Sequence, residues 1–84
     1  MYSYEFKPRA VRDLKKLPKE VQKIIIKKLD YFVSFENPLV FADHLINFEI
    51  GTYRFRIGDY RVIFDVIDEK IIILALDHRR EIYR

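Results

Sequence analysis

The sequence predicts an α+β fold: an N-terminal strand, an αα-hairpin, then an antiparallel β-meander forming a twisted sheet with the helices packed on one face. Three observations predict it. The first residues alternate apolar and polar with a period of two. Two stretches of the first half keep helical spacing of apolar residues. The second half holds three short apolar runs separated by two-residue turns.

Tyr2, Tyr4 and Phe6 alternate with Ser3, Glu5 and Lys7, so this strand has one aromatic face. Pro8 suits the first turn of a helix, where its missing N–H is not needed. Ala10, Val11, Leu14 and Leu17 follow at helical spacing, with Arg9, Arg12, Lys15 and Lys16 opposite. Pro18 ends that helix near Leu17 and opens a second, predicted over Pro18–Phe35. Val21, Ile24, Ile25, Leu29 and Phe32 form its apolar stripe; Lys19, Lys23, Lys27 and Asp30 form its wet side.

Asn37-Pro38 breaks the pattern. Residues 37–46 read either as a short helical turn or as a loop that packs down, and Asn47–Ile50 as a short strand. Tyr53–Ile57, Tyr60–Ile67 and Lys70–Leu76 read as strands. Glycine first in the Gly58-Asp59 loop fits a type II′ hairpin turn, and Asp68-Glu69 makes the next turn. The run I-I-I-L-A-L lacks alternation, which predicts a strand covered on both faces.

A length of 84 residues predicts one domain, residues 1–84. Half the residues are hydrophobic and 15% aromatic, enough for a packed core rather than disorder. With no cysteine, disulfides, thiolate metal sites and a cysteine nucleophile are excluded. Two histidines and no tight carboxylate cluster predict no metal, and the absence of phosphate-loop and nucleophile-elbow motifs predicts no cofactor of those classes. No apolar run approaches the roughly 18 residues of a membrane span. The start M-Y-S-Y-E-F-K lacks the regions of a signal peptide. A cytoplasmic protein with no membrane partner is expected.

The net charge is +3, and its placement is uneven. Lysines crowd the first third; arginines dominate the end, at Arg54, Arg56, Arg61, Arg79, Arg80 and Arg84. Lysine suits a solvated helix face, whereas the guanidinium fork suits bidentate contact with phosphate.

Strand register sharpens this. About the Gly58-Asp59 turn, Ile57 faces Tyr60, Arg56 faces Arg61 and Phe55 faces Val62. Tyr53, Phe55, Val62 and Phe64 then share the core face, while Arg54, Arg56 and Arg61 share the other. Directly opposed like charges cost a few tenths of a kcal/mol to about 1 kcal/mol. Extending the ladder through Asp68-Glu69 sets Arg61 against Leu76 and brings His78 beside the glycine turn, with Leu76, His78 and Arg80 on the arginine face. The other reading is an ordinary solvated face on which Asp59, Asp65 or Asp77 neutralises these arginines. Convergence of two basic clusters favours an anion site, and neighbouring tyrosines suit stacking on bases. On this reading Arg61→Ala leaves the fold intact, or even stabilises it by removing repulsion.

Three stretches resemble one family: F-K-P-R-A-V-R-D-L-K-K-L-P, then G-T-Y-R-F-R-I-G-D-Y-R-V-I-F-D-V-I-D, then H-R-R-E-I-Y-R. Together they look like the RelE branch of the RelE/ParE toxin superfamily, over nearly the whole chain. The resemblance implies the toxin of a type II toxin–antitoxin pair, with a RelE-like fold. Such a toxin enters the ribosomal A site, beside ribosomal RNA, and acts as a metal-independent endoribonuclease on mRNA, with the RNA 2′-OH as nucleophile. It also implies a RelB-like antitoxin in a hetero-oligomer. The family's hairpin basic residues fall on Arg54 and Arg56, where some members carry lysine. Its arginine after the glycine turn falls on Arg61, its late arginine on Arg79 or Arg80, and its terminal tyrosine on Tyr83. A histidine in the tail of related toxins makes His78 a further candidate, suited to proton transfer because histidine titrates near neutrality. Two alternatives share the fold: a ParE-like inhibitor of DNA gyrase, and a non-catalytic RNA- or ribosome-binding module.

Overall fold

Alternation, proline placement and turn chemistry build the elements in order. The structure is a computed structural model that describes residues 1–45 and 51–78; the strand expected at Asn47–Ile50 lies outside them. Strand β1 is Ser3–Phe6, helix α1 Pro8–Lys15 and helix α2 Lys19–Val33. A 3₁₀ turn, Pro38–Phe41, leads into strand β2, Ala42–His44. Strands β3 (Tyr53–Ile57), β4 (Tyr60–Ile67) and β5 (Lys70–His78) complete a sheet of order β1-β5-β4-β3-β2.

Pro8 and Pro18 act as expected: the first lies in the opening turn of α1, the second caps α2. At the junction the Gln22 side-chain amide donates to the Leu17 carbonyl at 2.9 Å, satisfying an acceptor that the helix break leaves over. Ala10 of α1 and Ile25, Leu29 and Phe32 of α2 are buried against Phe55, Ile57, Val62, Phe64, Ile71, Ile73 and Leu76 of the sheet. Ile24 departs from the expected stripe. It is 55% exposed, because it lies at the stripe's edge while Ile25 points to the core.

The meander is antiparallel as expected, but β1 joins it in parallel, with Ser3 beside Lys70 and Phe6 beside Ile73. The two helices carry the chain across one face and return it in the same direction, as a parallel pair requires. Placing β1 there covers one edge of β5, and α1 and β4 supply the rest. The apolar run Ile71–Leu76 is buried on both faces, with only Leu74 half-buried.

The ambiguous 37–46 stretch contains both a 3₁₀ turn and a strand. Asn37 Oδ1 accepts from the Leu39 N–H at 3.2 Å, opening the turn. That turn stacks Phe41 on Phe32, centroids 4.8 Å apart, and sends residues 42–44 along β3. Aromatic contacts continue from Phe32 to Phe55 and on to Phe64 at 4.5 and 4.4 Å. Among the described residues, no helix is long and apolar enough to cross a membrane.

Candidate functional site

The site is built on the sheet face turned away from the helices. Gly58 has φ +60° while Asp59 does not enter that region, the pattern of a II′ turn. That turn fixes the β3–β4 register at Ile57–Tyr60, Arg56–Arg61 and Phe55–Val62, as the sequence predicts. Arg54, Arg56 and Arg61 therefore share one face.

Their burial differs. Arg61 is only 7% exposed, whereas the Arg54 and Arg56 side chains are 23% and 65% exposed. One guanidinium is set into the sheet and two stand progressively further out. A buried guanidinium without compensating charge would be costly.

The compensation comes from two strands that flank the pair. On one side β2 pairs Asp43 with Arg54. One carboxylate oxygen, Asp43 Oδ2, accepts a hydrogen bond from Arg54 Nε at 3.2 Å and makes an ion pair with Arg56 Nε at 3.1 Å. On the other side β5 sets Asp77 beside Arg61. Two rows cross the sheet, Asp43–Arg54–Ile63–Ala75 and Arg56–Arg61–Asp77. Asp65, on the same face, is engaged elsewhere: its Oδ1 accepts the Thr52 N–H at 2.8 Å. Asp59 is exposed in the turn.

The second row corrects the expected β4–β5 register. From Ile67–Lys70 to Phe64–Ile73 the ladder runs as predicted; there it slips by one, and Ile63 pairs with Ala75. Leu74 is the extra residue. A single-residue bulge reverses which side chains point to which face. Leu76 consequently joins the core opposite Val62, and Asp77 rather than Leu76 stands beside Arg61. His78 pairs with Tyr60 on the helix side of the sheet, its ring edge-on at 4.9 Å. His78 thus reaches the end of the hairpin, as expected, but not on the arginine face. Arg79, Arg80 and Tyr83 lie outside the described residues.

Sequence reasoning missed Asp43. Ala42, Asp43 and His44 show no alternation of apolar and polar residues, so the sequence carries no signal that assigns Asp43 to a face.

The arrangement is an open cationic surface of three arginines held by two carboxylates, net about +1 by formal charge. A surface of this charge is suited to an anionic group and to stabilising charge that builds on it.

Comparison with known proteins gives a consistent result. The family model described as ParE toxin of type II toxin-antitoxin system, parDE, matches residues 4–83. Toxin RelG of Mycobacterium tuberculosis is 35% identical over 85 residues, covering 99% of this chain and 97% of that protein. Among solved structures, the toxin–antitoxin complex RelBE2 from Mycobacterium tuberculosis contains a chain that superposes with a TM-score of 0.80 at 32% identity, covering 93% of this chain and 98% of that one. The archaeal RelE–RelB complex from Pyrococcus horikoshii contains one at 0.71 and 32%, covering 93% and 94%.

Proposed function

The chain belongs to the RelE/ParE superfamily of type II toxin–antitoxin toxins, and from that premise we propose that it is a metal-independent endoribonuclease that cuts mRNA in the ribosomal A site and so inhibits translation. The observation that carries this reading is the arginine face, with Arg61 buried between Arg56 and Asp77.

In the proposed reaction an RNA 2′-OH attacks the adjacent phosphorus and the 5′-oxygen leaves, giving a 2′,3′-cyclic phosphate and a 5′-hydroxyl end. Negative charge grows on the non-bridging oxygens during attack. Arg61, fixed by burial, and Arg54 with Arg56 stabilise it; preorganised donors of this kind are worth several kcal/mol. Arginine stays protonated and does not serve as the base. His78 stands on the other face of the sheet from the arginines, which leaves proton transfer to Tyr83, with Arg79 or Arg80 adding a phosphate contact. The ribosome positions the message. A RelB-like antitoxin is the proposed partner, supported by similar structures that are RelB–RelE complexes. Action on ribosomes implies a cytoplasmic protein.

The matching family model carries the ParE description, which favours gyrase inhibition as the second reading. Primer extension on translating ribosomes separates the two. The proposed function predicts cuts within the A-site codon, reduced at least 100-fold by Arg61→Ala. Growth arrest with intact mRNA and falling gyrase supercoiling would replace it with the second reading.

A further inference from the structure

We propose that Asp43 is a positioning residue of the arginine face: it holds Arg54 and Arg56 by their Nε nitrogens and leaves their terminal amino groups to one phosphodiester. The inference rests on the ribonuclease reading and deepens it.

The geometry is specific. A guanidinium offers two forks, one along Nε and one at its tip. Asp43 Oδ2 lies 3.2 Å from Arg54 Nε and 3.1 Å from Arg56 Nε, so one oxygen engages the inner nitrogen of both side chains. Among the described residues, no other acid pairs with either arginine. The tips, which can grip phosphate oxygens bidentately, are not the nitrogens Asp43 engages.

The need for such a tether follows from exposure and charge. The Arg56 side chain is 65% exposed and lies directly across from Arg61. Without a counter-charge, repulsion and side-chain entropy would scatter it into solvent. Arg54 is the cross-strand neighbour of Asp43 and Arg56 its diagonal neighbour, so a single carboxylate on the edge strand reaches both. An exposed ion pair adds little to stability. Its value lies in the conformations it removes before the phosphate arrives.

Asp43 also places a negative charge beside the phosphate, which opposes binding. The two effects have different signatures. Removing the charge while keeping the shape, in Asp43→Asn, tightens or leaves unchanged the affinity for RNA but slows cleavage, by roughly 10–100-fold for a group misplaced by about 1 Å. Asp43→Glu keeps the charge and recovers part of the rate.

The test uses the full chain released from its antitoxin. Single-turnover cleavage and binding are measured on programmed ribosomes for wild type, Asp43→Asn and Asp43→Glu, with arginine Nε–H signals followed by nitrogen-15 NMR in the free protein. The expected result is a slow but tightly bound Asp43→Asn, partial recovery in Asp43→Glu, and loss of the Arg54 Nε–H signal to solvent exchange in Asp43→Asn. Cleavage by Asp43→Asn at or above the wild-type rate would show Asp43 to be a competing anion and overturn the inference. An unchanged Arg54 Nε–H signal would overturn it equally. If the wild type itself leaves mRNA uncut while the Arg54 Nε–H signal responds as expected, the ribonuclease reading fails and the tether remains only a structural contact.

Discussion

Arg61 and Arg56 face each other across one rung, yet removing them should have different consequences. Repulsion alone suggests that Arg61→Ala is harmless or stabilising. Burial reverses that sign: Arg61 is 7% exposed beside Asp77, and its loss leaves a carboxylate and a gap in a packed face. Arg61→Ala should lower stability by about 1–3 kcal/mol in urea unfolding, whereas Arg56→Ala should stay within about 0.5 kcal/mol of wild type. Equal effects would contradict the burial argument. Tyr4 gives a second residue-scale test. Its hydroxyl donates to Asp30 Oδ1 at 2.6 Å, joining β1 to α2. Burial, then the hydrogen bond to Asp30 and that carboxylate's charge, push its pKa from 10.0 up to about 12. The folded value exceeds the unfolded one, so the stabilisation is complete below pH 10 and fades as pH rises through about 12. A phenolate absorbance titration should find a late step near pH 12 that Tyr4→Phe removes; a titration unchanged by Tyr4→Phe would refute it.

At the scale of elements, the bulge at Leu74 creates a problem that α1 solves. Beyond Phe6 and Lys7, β1 no longer borders β5, and Asp13 Oδ2 of α1 accepts the Leu76 N–H at 3.0 Å instead. Asp13→Ala should cost about 1–3 kcal/mol and speed exchange of the Leu76 amide; Asp13→Asn, which still offers an acceptor, should retain most of both. Gly51 shows how tightly the opposite face is built. A Cβ there would lie 2.8 Å from Ile63 Cγ2 and 3.3 Å from the Phe64 carbonyl oxygen, which cannot move aside. Gly51→Ala should therefore destabilise by about 1–3 kcal/mol, measurable as a lower melting temperature. The helices, the hairpin turn and the Arg56–Arg61 rung were legible because proline, glycine and alternation mark them. The bulge was not: in a run apolar on both faces, side-chain parity leaves no trace in composition. β2 was hidden for another reason, since three residues after an Asn-Pro break are too few to establish a period.

For the whole molecule, the sheet has one apolar side built from distant parts of the chain and another whose arginines all come from one hairpin. That division explains why the arginines could be grouped from sequence while their carboxylate partners could not. Grouping needed one turn; the partners needed the correct placement of β2 and β5, which flank the hairpin. It also explains why α2 contributes lysines to the surface but none to the arginine face, since the sheet separates them. The parallel edge has a consequence in time. Among the described residues β1 is paired only with β5, and Ser3 meets Lys70. At about 5–20 residues added per second, the strand made first waits roughly 3–13 s for its partner to be synthesised. The β3–β4 hairpin is complete before then, but the layer that backs it is not. A toxin with this topology lacks its parallel edge pair until β5 is made, and an antitoxin already present has that interval in which to meet it.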